Sequence, residues 1–396
     1  MSKYFIANPP CGIYKGELPI GYAYYQTLLD IHFRFISDFK GIKAVCHKYS
    51  LNALGKRAKN LDLNGEEVRH LHQYVQEWAK KEEERDLMNF SFSGNLFDTS
   101  EKSIKAAKTT FKKLYEKGYS YREGDQFYLD VKKISSDFDL ESIIKEIEFF
   151  SDRSKIEFLR ILNQADEAVR ISKKRKYAIS NPLGGDPISP IFGVANLWRG
   201  YHDEIVDLFA AGEKGLTRYL MLRFLSQVSI SDELPMKSIL IYNYIEPEGG
   251  FDSWKVENIV KDEVDSDSLR YAFAKSFSLT KQKTKLKKSL LDGGKKFVYR
   301  IGNLKNFWLK KGFKHKKVSL SNEDKYRRNM KNFKYSKVLE DLELALKKIS
   351  QKINQFKKEN KKTDVLFEKY LILVEKSKPF CPFICNKAVK DLTPPI

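Results

Sequence analysis

Two short apolar runs, "YFIA" at 4–7 and "IKAVC" at 42–46, bracket one long segment with helical character from about Gly21 to Phe39. Strand, crossover helix and strand in so short a span specify a βαβ unit, because parallel neighbours cannot be joined by a tight turn. That unit limits the chain to the α/β class. It also sets any ligand at the carboxyl ends of the strands, so the Pro/Gly-rich turn "ANPPCGIYKGELPIGY" (7–22) stands where a nucleotide would sit.

Further elements follow from periodicity. Val68, Leu71, Val75 and Trp78 recur at helical spacing within 65–86, and Ile104, Ala107, Phe111 and Leu114 form one face of a second amphipathic helix that stops at Gly118. "DQFYLDV" (125–131) reads as a strand, 139–170 as helix, and "KSILIY" (237–242) as a buried strand. Beyond 266 the texture changes to long helices. Leu339, Leu342, Leu346, Ile349 and Ile353 alternate steps of three and four with lysines around them, which is the apolar stripe of a bundle helix.

Charge divides the chain at the same place. Residues 270–396 hold 34 Lys and Arg against 11 Asp and Glu, a net of +23, while 1–269 hold 38 against 41, a net of −3. A near-neutral body thus carries a cationic helical third. Such a third suits a polyanion, of which RNA is the natural candidate, or else it is a solvated lysine-rich face. No run of 18 apolar residues occurs and "MSKYFIANPP" has no signal-peptide pattern, so a cytoplasmic protein without a membrane partner is expected. Four scattered cysteines suit a reducing compartment. Cys381 and Cys385 lie one helical turn apart without further Cys or His ligands, so no zinc is expected and they read as half-buried helix cysteines.

The order of the pieces resembles the class I aminoacyl-tRNA synthetases of the methionine/leucine/isoleucine/valine subgroup, most of all the methionyl and leucyl members. "KYFIANPP…GELPIGYAYYQTLLDIHFRF" looks like the opening strand, signature loop and helix of that family, and "FDTSEKSIKAAKTTFKKLYEKGYSYR" like its connecting segment. "ISKKRKYAISNP" (171–182), "GGFDSWKVENIV" (249–260), "DSDSLRYAFA" and "VEKSKPFCPFICNKAV" follow in the family's order. The resemblance implies a Rossmann-like parallel-sheet catalytic domain followed by an all-α, anticodon-binding-like bundle. Its parts would be a first catalytic half at 1–118, a short connecting insertion at 119–170, a second half at 171–265 and the basic helical domain at 266–396. The insertion is too short for the family's editing domain, and the zinc knuckle of its methionyl members is not visible.

The resemblance also implies ATP, with Mg²⁺ as its counter-ion, an amino acid or related acid, and tRNA as partners of a monomer. At the two signature histidine positions stand Pro19 and Tyr22, with Ile20 and Gly21 between them. Pro19 has no N–H and Tyr22 has one neutral hydroxyl, while Gly21 still permits close backbone approach. At the lysine positions of the second loop stand Phe251 and Trp254; Ser253 and Asn258 fit the pattern and Lys255 falls one place late. Asn52 replaces the carboxylate that would meet the substrate ammonium, and Gly212 and Glu213 keep the ribose side. Tyr22, Ser253 and Lys255 are therefore the catalytic candidates, with Pro10, Pro19, Ile20, Gly21, Gly212, Glu213 and Asn258 around the nucleotide and Asn52 at the amino acid. For tRNA the candidates are Lys325, Arg327, Arg328, Lys331 and Lys334.

Removing one preorganised donor commonly costs ~3–4 kcal/mol, or roughly 10²–10³ in rate. Several such losses bear directly on the function. The expectation is an aminoacyl-tRNA ligase that activates an amino acid of Met/Leu type and transfers it to tRNA; the alternative is a catalytically degenerate paralogue that binds tRNA.

Overall fold

The structure, a computed structural model, describes residues 3–8, 20–39, 43–48, 101–174, 179–196, 206–212, 217–231, 236–249, 265–315, 324–359 and 363–393, with 234, 256, 259 and 318 singly. The chain forms two compact units. One comprises Met1–Lys15, Lys43–Arg85 and Gly94–Tyr242, the other Gly16–Ile42, Asp86–Ser93 and Asn243–Ile396.

The βαβ start is present. β1 (Lys3–Asn8) and β2 (Lys43–Lys48) pair in parallel from Lys3 opposite Lys43 to Asn8 opposite Lys48. Between them in sequence runs α1 (Ile20–Arg34), continued by a π-helical turn at Phe35–Phe39. The helix expected at 65–86 lies outside the described residues.

In the first unit the chain continues through α2 (Glu101–Glu116), β3 (Ser120–Glu123), β4 (Gln126–Asp130), α3 (Val131–Asp137), α4 (Leu140–Lys145), β5 (Glu148–Phe149), α5 (Asp152–Asn163), β6 (Ala168–Arg170), α6 (Pro190–Asn196), β7 (Leu208–Gly212), α7 (Thr217–Ile230) and β8 (Ser238–Tyr242). Five strands form one parallel sheet in the order β2-β1-β7-β8-β5. Every residue of β8 is buried, as its unbroken apolar run requires of an inner parallel strand. Ala107, Phe111 and Leu114 of α2 face the core, where Phe111 meets Phe127 and Phe192 edge-on. Gly118, at φ 74°, ends that helix in a Schellman turn: Tyr119 N–H donates to the Leu114 carbonyl and Gly118 N–H to that of Tyr115. The segment 139–170, expected as helix, is interrupted by β5 and β6, each too short for its period-2 pattern to show. β6 completes an antiparallel β3-β4-β6 sheet.

The second unit contains α1, β9 (Tyr244–Pro247), α8 (Ser266–Ser276), β10 (Lys283–Leu286), α9 (Lys288–Lys310), α10 (Asp324–Lys331), α11 (Tyr335–Glu359), α12 (Asp364–Ser377) and α13 (Pro382–Leu392). The expected stripe of α11, Leu339 to Ile353, is buried at all five positions. α8 and α9 cross so closely that a Cβ on Gly294 would lie 2.3 Å from the Ser268 carbonyl oxygen.

This unit is held together by polar groups as well as apolar ones. Arg270 of α8 donates to Asp30 Oδ2 of α1 at 2.7 Å and to the carbonyls of Pro379 and Phe380 at 2.8 and 3.1 Å. Asp267, one turn earlier, accepts from the first-turn N–H groups of Phe383 and Ile384 at 3.3 and 2.7 Å. α13 needs this external cap, because Pro382 has no N–H and Cys381 at its N-cap makes no side-chain cap bond. Cys381 and Cys385 are free thiols and fully buried rather than half-buried, because α13 turns both inward. Asn243 joins three elements: it accepts from Tyr24 at 2.7 Å and from Ser278 N–H at 3.3 Å, and donates to Thr284 at 2.6 Å.

Candidate nucleic-acid interface

The parallel sheet has a topological switch point. Reading outward from β1, sequence order runs to β2 on one side and to β7 and β8 on the other, so the strand order reverses between β1 and β7. Ligands of doubly wound sheets bind at the carboxyl ends at such a switch point. Ile6 of β1 stands opposite Leu208 of β7, and Gly212 of β7 opposite Tyr242 of β8, so the strand ends at Asn8, Gly212 and Tyr242 lie along one edge.

Gly212 is the last residue of β7 and half-buried. Ile20 opens α1 and is buried; Gly21 follows with no heavy atom within 4 Å of where a Cβ would stand. Tyr22 belongs to α1. The other candidates of the nucleotide and amino-acid sites, Pro10, Pro19, Asn52, Glu213, Ser253, Lys255 and Asn258, lie outside the described residues.

The cationic candidates are described in full. In α10 Tyr326, Asn329 and Met330 face inward, which leaves Lys325 and Arg328 exposed, with Lys331 and Lys334 exposed beyond them and Arg327 half-buried. Lys325 pairs with Asp341 at 2.9 Å. The turn after α10 places Phe333 at φ 55° and stacks its ring on His32 of α1, with centroids 4.4 Å apart. That stacking anchors the turn that carries Lys334 between α10 and α11.

A second cationic surface escaped the reading of the sequence. Lys296, Tyr299, Arg300, Asn303 and Phe307 occupy one face of α9, and with Ser350, Ile353 and Asn354 of α11 they line a notch of about 360 Å³. The adjacent face of α9 is the core stripe Phe297, Ile301, Leu304 and Trp308. Tyr299 is 70% exposed, so its ring is open to solvent beside Lys296 and Arg300. Among the described residues no ion pair occupies Lys296 or Arg300. The signal was present in "KKFVYR" (295–300), cations interleaved with aromatics, and was hidden inside an otherwise ordinary amphipathic helix.

Two solved structures are similar to this chain along nearly its whole length. Both are methionyl-tRNA synthetase of Mycobacterium tuberculosis with methionyl-adenylate. One shares 11% identity over 98% of this chain and 94% of that one, with a TM-score of 0.72. The other shares 12% over 98% and 93%, with a TM-score of 0.71. The fold is methionyl-tRNA synthetase-like. No family model matches the sequence, and no curated protein matches it. The synthetase-like fold bears out the expected parallel-sheet domain followed by a helical one. Among the described residues no three His, Cys, Asp or Glu side chains converge as metal ligands, and no helix is long and apolar enough to cross a membrane.

Proposed function

We propose that this chain binds tRNA through its α-helical unit. The observation that carries the reading is the notch at Tyr299: an open aromatic ring flanked by Lys296 and Arg300. Unpaired RNA bases stack on such rings while cations neutralise the neighbouring phosphates. Arg328, Lys331 and Lys334 supply a further row of exposed charge for a stem, as does Lys325 to the extent that Asp341 releases it.

A second reading adds chemistry, and the switch point between β1 and β7 favours it. In it the chain activates an amino acid of Met/Leu type with ATP and passes it to tRNA. The acid's carboxylate attacks the α-phosphorus of ATP and pyrophosphate leaves, with charge building on the phosphate oxygens. Mg²⁺ bound to ATP would offset part of that charge. Tyr22, Ser253 and Lys255 would serve the phosphates, Gly21 and Gly212 would let the nucleotide approach the backbone, Glu213 would hold the ribose, and Asn52 would face the substrate ammonium.

ATP–pyrophosphate exchange over the twenty amino acids, with and without tRNA, separates the two readings. Exchange that Ser253→Ala abolishes supports activation; tRNA binding without exchange leaves the binding protein. For the binding itself, the logarithm of affinity should fall linearly with that of salt concentration. Arg328→Ala with Lys331→Ala should flatten the slope by about 0.9 for each stem phosphate that is no longer neutralised. Affinity that stays level between low and high salt overturns the proposal.

A further inference from the structure

On another side of α11 the helical unit has a trough that differs in kind from the Tyr299 notch. It holds about 600 Å³ and lies among α10, α11 and α12. Val338, Leu342 and Ile349 of α11 and Leu366, Ile372 and Leu373 of α12 form its apolar lining. With Ala345 and Lys352 the α11 positions 338, 342, 345, 349 and 352 advance by three or four residues, and with Lys369 and Lys376 so do 366, 369, 373 and 376 of α12, so each wall is a continuous stripe. From Val338 to Lys352 the α11 wall is about 21 Å long, and from Leu366 to Lys376 the α12 wall is about 15 Å long, at 1.5 Å per residue.

Five lysines also line the trough: Lys325, Lys348, Lys352, Lys369 and Lys376. Asp341 alone among the lining residues is acidic, and Lys325 holds it at 2.9 Å. Lys348, Lys352 and Lys369 are exposed at the rim, while Lys376 lies deeper, its ammonium 5.4 Å from the centre of the Tyr326 ring.

An occupant must satisfy both halves of this surface. RNA meets the lysines but leaves the apolar walls without a partner, and no ring is open to a base, since Tyr326 is buried and its hydroxyl donates to the Lys376 carbonyl at 2.8 Å. A purely apolar molecule fills the floor and leaves Lys348, Lys352 and Lys369 at the rim without counter-charge. We infer that the trough takes an acidic amphipathic helix of about ten to fourteen residues from a protein partner, its apolar face on the floor and its carboxylates at Lys348, Lys352 and Lys369. Long-range attraction between the acidic helix and the lysine rim speeds encounter, and the apolar floor sets the register.

The test uses the full chain and a fluorescent synthetic helix of about fourteen residues, with Leu at i, i+3, i+4 and i+7 and Glu between them. A scrambled peptide of the same composition and an RNA hairpin serve as comparators. The ordered peptide should bind at least about tenfold more tightly than the scrambled one, and Lys348→Glu with Lys369→Glu should remove most of that binding. Both lysines are exposed, so the double variant keeps its fold, and Tyr299→Ala should leave the peptide's affinity unchanged. Equal binding of the two peptides, or an unchanged affinity in the double variant, overturns the inference. So does a double variant that loses the hairpin and keeps the peptide, which would make the trough an RNA surface.

Discussion

Charges inside the helical unit and charges on its surface are treated in opposite ways. Asp30, Asp267 and Arg270 are at most 3% exposed, and each meets a charged or backbone partner on another element. Lys296, Arg300, Arg328 and Lys331 stand at the surface, and no ion pair occupies them among the described residues. The contrast teaches that net charge is a poor guide by itself. Interior ions fix how α1, α8 and α13 meet, whereas the surface cations face solvent, as the proposed phosphate-binding face needs.

The sharpest way to break this contrast is to remove an interior partner. Asp30→Ala takes from the fully buried Arg270 guanidinium its 2.7 Å carboxylate partner, and it also deprives Arg34 of its 2.8 Å partner. A buried charge stripped of its counter-ion costs about 3–5 kcal/mol. Urea unfolding should show that loss, while Lys296→Ala should stay within about 0.5 kcal/mol of the parent. Equal effects from the two substitutions would erase the distinction.

Asp267 sharpens it through pH. Burial pushes its carboxyl up from 3.8 to about 7, against the pull of the Ile384 and Phe383 N–H groups and of Arg270. A carboxyl whose folded pKa is raised stabilises the fold fully below its unfolded value and loses that contribution as pH rises through the folded one. The parent's thermal midpoint should therefore fall, relative to Asp267→Asn, as pH goes from about 4 to about 7, and the difference should level off above. The effect amounts to no more than a few kcal/mol, at about 1.4 kcal/mol per pKa unit. A constant difference over that range would mean that the carboxyl does not titrate there.

Much of the fold was legible because it rests on periodicity. Two apolar runs around a helix gave the parallel β1–β2 pair, and the steps of three and four from Leu339 to Ile353 gave the buried face of α11. β5 and β6 were hidden because two or three residues cannot display a period. The cationic character of the helical third was legible from counting, but its sorting was not. Arg270 and Lys325 look alike in a string of letters, and only packing shows that one is sealed against Asp30 while the other sits at a trough rim. Tyr299 was missed for the same reason: aromatic residues in an amphipathic helix usually face the core, and exposure is a property of the folded surface.

Tyr299 also offers the finest test, because its ring carries no charge. Stacking of one base on an aromatic ring is worth about 1–3 kcal/mol by alanine substitution, so Tyr299→Ala should weaken tRNA binding by roughly 5- to 150-fold. The slope of log affinity against log salt should not move, since every phosphate keeps its cation. Arg300→Ala should instead flatten that slope by about 0.7 for a single-stranded phosphate. Tyr299→Phe keeps the ring and should restore binding, which a hydroxyl hydrogen bond could not explain. With the Tyr299 side chain 70% exposed, stability should be unaffected in both Tyr299 variants, so thermal midpoints report whether any loss is one of recognition. If Tyr299→Ala changed the salt slope and Arg300→Ala did not, the ring would be acting by shaping the charged face and the stacking assignment would fall.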